Sequence, residues 1–413
     1  MPTTLIVAIA LLTVLGVLLR PFHLPEYVFS LLGAGALVGF GLIGRRAALA
    51  SVARGHEVYL FLVGMMLLSE VARREGLFEH LAARAARAAR GSAPRLFAIV
   101  YGLGILVTVV LSNDATAVVL TPAVYAMART ARVAPLPYLF ACAMVANAAS
   151  FVLPISNPAN LVIYGAAMPP LAGWLGLYLL PSAVAIAATY VALRLALRAD
   201  LAGPAPRSVD LPRLAPAGRA AALGLLATAG ALIAASALGA PLGGPTLAAG
   251  IAVVALVTAM TRRPPMPLLR GVSWGVLPLV AGLFVLVEAV FSTGLPDRAV
   301  AALHLWARAA PQGAAGGVGL LFAAASNLIN NLPVGLVAAT ANRAGDLPPH
   351  MVGAMLIGVD LGPNLSVTGS LATILWLVAL RREGLQVSAR QFLGLGLRVA
   401  PPALMLSLAA LLL

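Results

Sequence analysis

The chain has 413 residues, of which 61% are hydrophobic and 10% are charged, and its mean hydropathy is +1.00. Soluble domains carry about a quarter charged residues, so this composition excludes a soluble globular protein and indicates an integral membrane protein. The formal net charge of +14 comes with no interleaved aromatic stripe and no soluble domain, which argues against a nucleic-acid-binding protein.

Apolar runs long enough to cross a membrane follow one another along the whole sequence. They predict about ten transmembrane helices, at about 3–19, 24–43, 57–72, 136–165, 172–195, 217–238, 242–260, 273–292, 350–377 and 392–413. The runs at 136–165 and 350–377 are broken by polar, helix-breaking residues. Two further runs, 95–129 and 314–342, have a polar turn at their centre, and each predicts a re-entrant helical hairpin. The predicted fold class is an all-α polytopic membrane protein.

The basic residues predict how the chain is oriented. All 27 are Arg, and an outside amino terminus leaves 20 of them in cytoplasmic segments, with Arg398 inside a span. The Arg residues on the outer side are then Arg45, Arg46, Arg54, Arg298, Arg308 and Arg343. Because this bias follows the positive-inside rule, we expect a multi-pass protein of a bacterial-type inner (plasma) membrane, with both termini extracytoplasmic.

The two halves of the chain align with each other by hand. A set of residues in the first half recurs 218 residues later in the second half. Val63-Gly64, Glu70 and Gly76-Leu77 correspond to Ala281-Gly282, Glu288 and Gly294-Leu295. An odd number of full crossings in each half predicts that the second copy is inverted, and inverted repeats place substrate near the bilayer midplane. The predicted units are a first repeat at 1–198, a cytoplasmic linker at 199–216 and a second repeat at 217–413.

Polar residues are concentrated at the two hairpin turns and at the two helix breaks. Opened backbone survives in a bilayer only beside protein or a wet cavity, and paired breaks in two halves are the best sequence pointer to a transporter's binding site. These side chains predict substrate binding, and the alternative is that they cap the helix ends. The predicted substrate-binding residues are Ser112, Asn113, Thr116, Asn157, Asn160, Asn327, Asn330, Asn331, Asn364, Ser366 and Thr368.

Asp114 and Asp360 are the carboxylates placed deepest in the apolar sequence. An ionisable residue inside a membrane is costly and indicates function by default, and removal from water favours the protonated form of a carboxyl group. Both are therefore predicted proton carriers, the alternative being a carboxylate held charged by a helix end or an ion pair. Glu70 and Glu288 lie near the ends of spans, and for these two residues a packing role and a functional role are equally open.

Cysteine and histidine usage excludes several kinds of site. Cys142 is the only cysteine, which excludes disulfides, iron–sulfur clusters and cysteine-based metal sites. The five His residues are scattered and form no spaced metal motif. We expect neither a cofactor nor a resident metal.

Four segments carry a family resemblance: Asn113–Pro122, Ser156–Asn160, Ser326–Pro333 and Asp360–Asn364 running on to Gly369–Trp376. They resemble segments of the arsenite-efflux permease (ArsB) family of the ion transporter superfamily, in the family's order along essentially the whole chain. The resemblance implies export of trivalent arsenic and antimony hydroxides, driven by protons alone or with a separate soluble arsenite-stimulated ATPase. It also allows a homodimer. The family often has a basic residue where Asn364 stands, so the charge at this site differs.

The predicted function is secondary active export of arsenite and antimonite in exchange for protons, by alternating access. Amide and hydroxyl groups suit neutral As(OH)₃, no Arg lies at the interruptions to clamp a carboxylate, and one Cys cannot form a thiolate trap. The alternative is a sodium/proton antiporter or a sodium-coupled anion carrier of the same superfamily, because the same groups coordinate sodium. No enzyme is expected, since no clustered nucleophile and base is present.

Overall fold

The structure is a computed structural model that describes residues 2–19, 21–202, 213–309, 311–343 and 347–413. These residues form helices joined mostly by short turns. Residues 203–212 of the predicted linker 199–216 lie outside the described part of the chain.

The helices lie on either side of the predicted linker. The helices of the first half are α1 (Pro2–Leu19), α2 (Glu26–Gly39), α3 (Arg45–Arg54), α4 (His56–Arg74), α5 (Leu77–Ala88), α6 (Ala93–Val110), α7 (Asn113–Ala115), α8 (Thr121–Thr130), α9 (Leu136–Ala148), α10 (Pro158–Tyr164) and α11 (Leu171–Ala196). Those of the second half are α12 (Pro216–Ala237), α13 (Gly243–Thr261), α14 (Met266–Gly271), α15 (Val276–Phe291), α16 (Leu295–Ala309), α17 (Pro311–Ile329), α18 (Asn331–Arg343), α19 (Pro349–Leu361), α20 (Leu371–Arg382) and α21 (Ala389–Leu411). A π-helical segment, Thr116–Leu120, joins α7 to α8. Short 3₁₀ turns lie at Pro21–His23, Pro154–Ser156, Gly165–Ala167 and Gly362–Leu365.

The all-helical, membrane-embedded fold predicted from the sequence is confirmed, but many spans are assembled from pieces. In the described part of the chain, five helices are long and apolar enough to cross a membrane alone: α6, α11, α12, α13 and α21. A sixth span arises if α3 and α4, which meet at a bend of 47°, are counted together. The other predicted spans are shorter apolar helices or broken ones, so length alone undercounts crossings in this fold.

The breaks lie at the four predicted interruptions. The first hairpin turns between α6 and α7, and the second turns at Asn330, whose φ of 77° is left-handed. The first broken helix opens after α9 and the second after α19. Buried Trp174 donates from Nε1 to Phe151 O at 3.2 Å in the first of these breaks, and buried Trp376 donates from Nε1 to Leu139 O at 2.9 Å within α9. Side chains thus replace some of the hydrogen bonds that water would otherwise supply.

Helices of one half pack on helices of the other half. Helix α4 packs against α13, and α2, which occupies the place of α13 in the first half, packs against α15. Helix α10 packs against α18, while α20 packs against the π-helical segment. We keep the inverted duplication as a prediction, because the packing of paired elements does not by itself establish their ancestry.

The crossing of α4 and α13 depends on glycine. A Cβ atom added at Gly250 of α13 would lie 2.8 Å from the backbone oxygen of Gly64, and one added at Gly64 would collide with the backbone at Thr246. Small residues at such crossings let helix backbones approach closely in membranes. The two helices therefore form a close pair that positions the α4 face described below.

Gly250→Ala should destabilise the protein. The added methyl group forces the α4 and α13 backbones apart, at a cost of about 1–3 kcal/mol. Gly102→Ala is the matched control, because nothing lies within 4 Å of a Cβ at that position of α6 and alanine is the better helix former by about 0.5–1 kcal/mol. Thermal unfolding in detergent should give a lower midpoint for Gly250→Ala and an equal or higher one for Gly102→Ala. Equal midpoints for the two variants would contradict the close crossing.

Candidate functional site

Two adjoining cavities lie where the hairpin turns and broken helices meet α4. The smaller, here called the central cavity, has a volume of about 10 Å³, which is room for about one water molecule. Its polar lining residues are Asn113, Asp114, Asn157 and Asn331. The larger, here called the vestibule, has a volume of about 70 Å³ and shares Leu62, Asp114, Pro158 and Val276 with the central cavity. Among the described residues, no Arg or His lines either space.

Four helical segments begin at the central cavity. These are α7, α10, α18 and α20, each of which contributes a residue of its first turn to the lining. The first N–H groups of a helix lack partners within the helix and carry partial positive charge. The cavity is therefore well suited to oxygen atoms with free lone pairs.

Some of these N–H groups already donate to capping side chains, as the alternative interpretation of the polar residues as helix caps predicted. Ser112 Oγ accepts from Ala115 N at 3.2 Å, and Asn157 Oδ1 accepts from Ala159 N at 3.0 Å. In the second half, Asn330 Oδ1 accepts from Leu332 N at 3.3 Å and Ser370 Oγ from Thr373 N at 3.1 Å. Each segment thus has one capping side chain, and the polar residues beside the caps remain for the cavity.

Asn331 presents an unused acceptor at the central cavity. Its backbone N–H donates to Gly369 O at 2.8 Å, but its buried side-chain Oδ1 has no hydrogen-bond partner. A buried polar atom left unpaired costs about 1–3 kcal/mol. A ligand hydroxyl that donated to this oxygen would recover that free energy.

Asp114 is the carboxylate that lines both cavities. Its backbone N–H donates to Asn113 Oδ1 at 2.9 Å, and no described basic side chain forms an ion pair with it. The nearby Thr116 hydroxyl lies behind the cavity, 2.8 Å from the Thr108 hydroxyl. The backbone carbonyl of Thr116 accepts from Thr121 Oγ1 at 3.1 Å. The hairpin turn thereby directs Asp114, rather than Thr116, toward the open space.

Asp360 is fully buried behind the central cavity. Its Oδ1 accepts from Asn157 Nδ2 at 2.8 Å, and its Oδ2 lies 2.7 Å from Ser150 Oγ. Asn157 also lines the cavity, so one amide connects the buried carboxyl group to the space beside Asp114. Only neutral groups hydrogen-bond Asp360 in the described part of the chain, which argues against an ion pair as the reason for its burial.

Ser150 can satisfy Asp360 in either protonation state. Its hydroxyl oxygen lies 2.8 Å from Asn147 O as well as 2.7 Å from Asp360 Oδ2. An ionised Asp360 accepts the hydroxyl hydrogen. A protonated Asp360 instead donates to Ser150 Oγ, whose own hydrogen then turns to Asn147 O.

Other predicted substrate-binding residues direct their amides at backbone oxygens instead of the cavity. Asn160 Nδ2 donates to Ser150 O at 2.9 Å, Asn327 Nδ2 to Gly362 O at 2.8 Å and Asn330 Nδ2 to Thr368 O at 2.9 Å. Ser366 and Thr368 hydroxyls both lie 3.4 Å from Asn327 O. Asn160 thus braces the first helix break, and the other four residues join the second hairpin to the second broken helix.

Asn364 belongs to a second amide pair. Its Oδ1 accepts from Asn147 Nδ2 at 3.0 Å, and its own Nδ2 donates to Met144 O at 3.1 Å. All three residues are buried. The position that is often basic in the resembled family is thus neutral here and is bonded to α9.

Sequence reasoning missed Asn147 and Ser150. They lie three residues apart, one in the last turn of α9 and one just after it, a few residues before Pro154, so their position before a helix break was the available signal. It did not indicate that their partners would be Asn364 and Asp360, each more than 200 residues away.

The vestibule wall contains Glu70, which forms ion pairs with two arginines of its own helix. Arg73 Nε and Arg74 Nε donate to its carboxylate at 2.7 and 2.8 Å, and Arg74 also bonds Pro267 O. Glu288, its counterpart in the second half, pairs with Arg54. The structure therefore gives both glutamates an inter-residue packing role.

The described residues contain no group of three or more His, Cys, Asp or Glu side chains placed to hold a metal ion. Cys142 is buried in α9 and lines neither cavity.

Comparison with known families decides the class of this protein. The family model described as "CitMHS: Citrate transporter" matches residues 6–358. The chain belongs to the CitMHS family. A member of this family is a transporter rather than an enzyme, and this CitMHS protein is a multi-pass membrane transporter.

Curated relatives of this CitMHS protein confirm the resemblance to arsenite-efflux permeases. It is 29% identical over 375 residues to an arsenical pump membrane protein of Escherichia coli, covering 84% of both chains. It is also 29% identical over 364 residues to one of Yersinia enterocolitica, again with 84% of each covered. An uncharacterized transporter of Mycobacterium tuberculosis is 27% identical over 413 residues, covering 94% of this chain and 93% of the relative.

A solved structure supports the fold. The YdaH transporter of Alcanivorax borkumensis, whose crystal structure is described as revealing an unusual topology, superposes with a TM-score of 0.58 at 17% sequence identity. The match covers 99% of this chain and 97% of that one. At this identity the likeness concerns the fold alone.

Ser150→Ala should destabilise the protein by about 1–3 kcal/mol, because it removes one of two donors to the buried Asp360. Ser182→Ala is the control, since the Ser182 hydroxyl is equally buried but bonds only Leu179 O in its own helix. Thermal unfolding in detergent should separate the two variants by several degrees. Equal midpoints would show that the hydrogen bond between Ser150 and Asp360 does not stabilise the fold.

Proposed function

We propose that this protein exports arsenite and antimonite, as neutral trivalent hydroxides, in exchange for protons. The observation that carries the proposal is the central cavity, where Asn113, Asp114, Asn157 and Asn331 converge and Asn331 Oδ1 has no partner. Three amides and four helical starts supply donors and acceptors for hydroxyl groups, and no basic side chain is present to select an anion. The names of the arsenical pump relatives support the same substrate.

Direct contact with substrate is proposed for the residues that line the two cavities, namely Ser112, Asn113, Asn157 and Asn331. Thr116, Asn160, Asn327, Asn330, Asn364, Ser366 and Thr368 are proposed to act by holding the turns and breaks in place. Their amide N–H groups and hydroxyls are engaged with backbone or other side chains, while Asn160 Oδ1 and Asn327 Oδ1 have no hydrogen-bond partner.

Asp114 is the proposed proton carrier of the cavity, and Asp360 is the second. A proton on Asp114 and a substrate hydroxyl would occupy the same small space, so loading of one disfavours the other. Asp360 would exchange its proton next to Asn157, with Ser150 reorienting to match each state. Inward movement of a proton then drives outward movement of a neutral solute.

The predicted orientation places the vestibule on the cytoplasmic side, because Arg73 and Arg74 beside Glu70 follow the positive-inside rule. The vestibule is then the route by which substrate enters from the cytoplasm. In this orientation the protein lies in the inner (plasma) membrane with both termini outside. Alternating access would move the two hairpins and broken helices of the inverted repeats against the remaining helices.

The second candidate is a sodium-coupled anion carrier, or a sodium/proton antiporter of the same architecture. The description of the matching family as citrate transporters favours it, and helical starts can bind carboxylates. Against it, a tricarboxylate would meet the Asp114 carboxylate without any basic side chain to offset the repulsion. A soluble arsenite-stimulated ATPase and a homodimer are proposed as partners from the resemblance alone.

Everted membrane vesicles test the substrate and the coupling ion together. We expect them to accumulate arsenite in sodium-free buffer once the interior is acidified, and to lose this accumulation when a protonophore is added. Vesicles from cells without the gene are the control. A requirement for sodium, or accumulation of citrate in place of arsenite, would support the anion carrier and overturn the proposal.

Asp114→Asn should uncouple transport from the proton gradient. The amide keeps the size and hydrogen-bonding capacity of the side chain but cannot take up a proton. The variant is expected to lose pH-driven accumulation of arsenite while still exchanging internal for external arsenite. Asp200→Asn, at an exposed position after α11, should behave as wild type. Full pH-driven accumulation by Asp114→Asn would exclude Asp114 as the proton carrier.

A further inference from the structure

Sulfur is present in the vestibule wall. Of the residues that line the vestibule and the central cavity, only Met65 and Met66 contain sulfur. Both lie on α4, where Met65 is 4% exposed and Met66 is partly buried. Cys142 does not line either space, so these thioethers are the only soft atoms in the wall.

The two methionines lie on α4 between the residues that line the vestibule alone and the residue that it shares with the central cavity. Leu62 of α4 lines both cavities, whereas Ser69 and Glu70 line only the vestibule. At about 1.5 Å of rise per residue, Met65 and Met66 lie roughly 5 Å along α4 from Leu62 toward Ser69. Asp114 and Ser112 line the same space from the hairpin turn. A solute in the vestibule beside Asp114 therefore shares that space with the two side chains.

Recognition by hydroxyl groups alone leaves a selectivity problem. The amides of Asn113, Asn157 and Asn331 contact only the O–H groups of a neutral hydroxide. They bind other small, neutral polyhydroxy molecules by the same contacts, because specificity is a difference of affinities and shared contacts cancel. What distinguishes a trivalent arsenic or antimony hydroxide is its central atom, which is soft and polarizable.

We propose that Met65 and Met66 are specificity-determining residues that contact the central metalloid atom of the substrate through their thioether sulfurs. The inference rests on the proposed function. Thioethers are soft ligands that suit soft centres, and the flexible, polarizable methionine side chain adapts to an irregular partner. Unlike thiolates, they carry no charge and release the substrate readily.

The test compares antimonite with boric acid, a neutral trihydroxide whose central atom is hard. The variants are Met65→Leu, Met66→Leu and the double substitution, all of which nearly conserve side-chain volume. Met351→Leu is the control, because Met351 is fully buried on α19 and lines neither cavity. Each protein is assayed in everted vesicles for the KM and kcat of antimonite uptake and for the inhibition constant of boric acid.

The double variant is expected to raise the KM for antimonite by roughly three- to tenfold, with kcat and the boric acid inhibition constant close to wild type. Met351→Leu should change none of them. An unchanged antimonite KM, or an equal shift for antimonite and boric acid, would overturn the inference, since the second result indicates a change of cavity shape only. Boric acid that competes with antimonite in none of the proteins would also overturn it, because recognition would then not depend on hydroxyl groups.

Failure of the inference can be separated from failure of the proposed function. Wild-type vesicles that accumulate neither arsenite nor antimonite refute the proposed function, and the inference falls with it. Wild-type vesicles that accumulate both, with leucine variants that do the same at an unchanged KM, refute only the role of the methionines.

Discussion

The need to satisfy opened backbone in a medium without water is the constraint on which the rest of this structure depends. Hairpin turns and helix breaks expose N–H and C=O groups that lipid cannot pair. Here the partners are side chains: the amides of Asn160, Asn327 and Asn330, and the indole N–H group of Trp174. Once these bonds are made, the helical starts are held together around a small cavity, and the polar residues left over face it.

This constraint explains why the polar residues at the breaks fall into two groups. Helix ends and opened backbone need hydrogen-bond partners before they can be buried, and caps and side-chain amides supply them. Asn113, Asp114, Asn157 and Asn331 line the central cavity, and of these only Asn157 also serves as a cap. Asn157 is shared because it caps α10, lines the cavity and donates to Asp360. Substitution of such a residue therefore affects stability and the proposed transport step together.

Much of the architecture was predictable because hydropathy and broken runs are local properties of a sequence. The helical class, the positions of the four interruptions and the depth of Asp114 and Asp360 all follow from short windows. The contacts that define the site are not local. Ser150 meets Asp360 and Asn147 meets Asn364 across the two halves, and residue type alone did not separate Asn331, which faces the cavity, from Asn330, which braces the turn. The number of spans was also harder to predict from the sequence, because α3 and α4 meet at a bend and several predicted spans are short helices.

The exchange of helix partners between the halves has a consequence for biogenesis. Helix α4 packs on α13 and α2 packs on α15, so neither has its main partner while only the first half of the chain has left the ribosome. The early helices therefore remain in the bilayer without these partners, with their small and polar faces against lipid or insertion factors, until the later helices are synthesised. Final assembly is therefore a late event in synthesis. A ribosomal pause or truncation in the second half would leave a first half that is inserted but not folded, a natural target for membrane proteases.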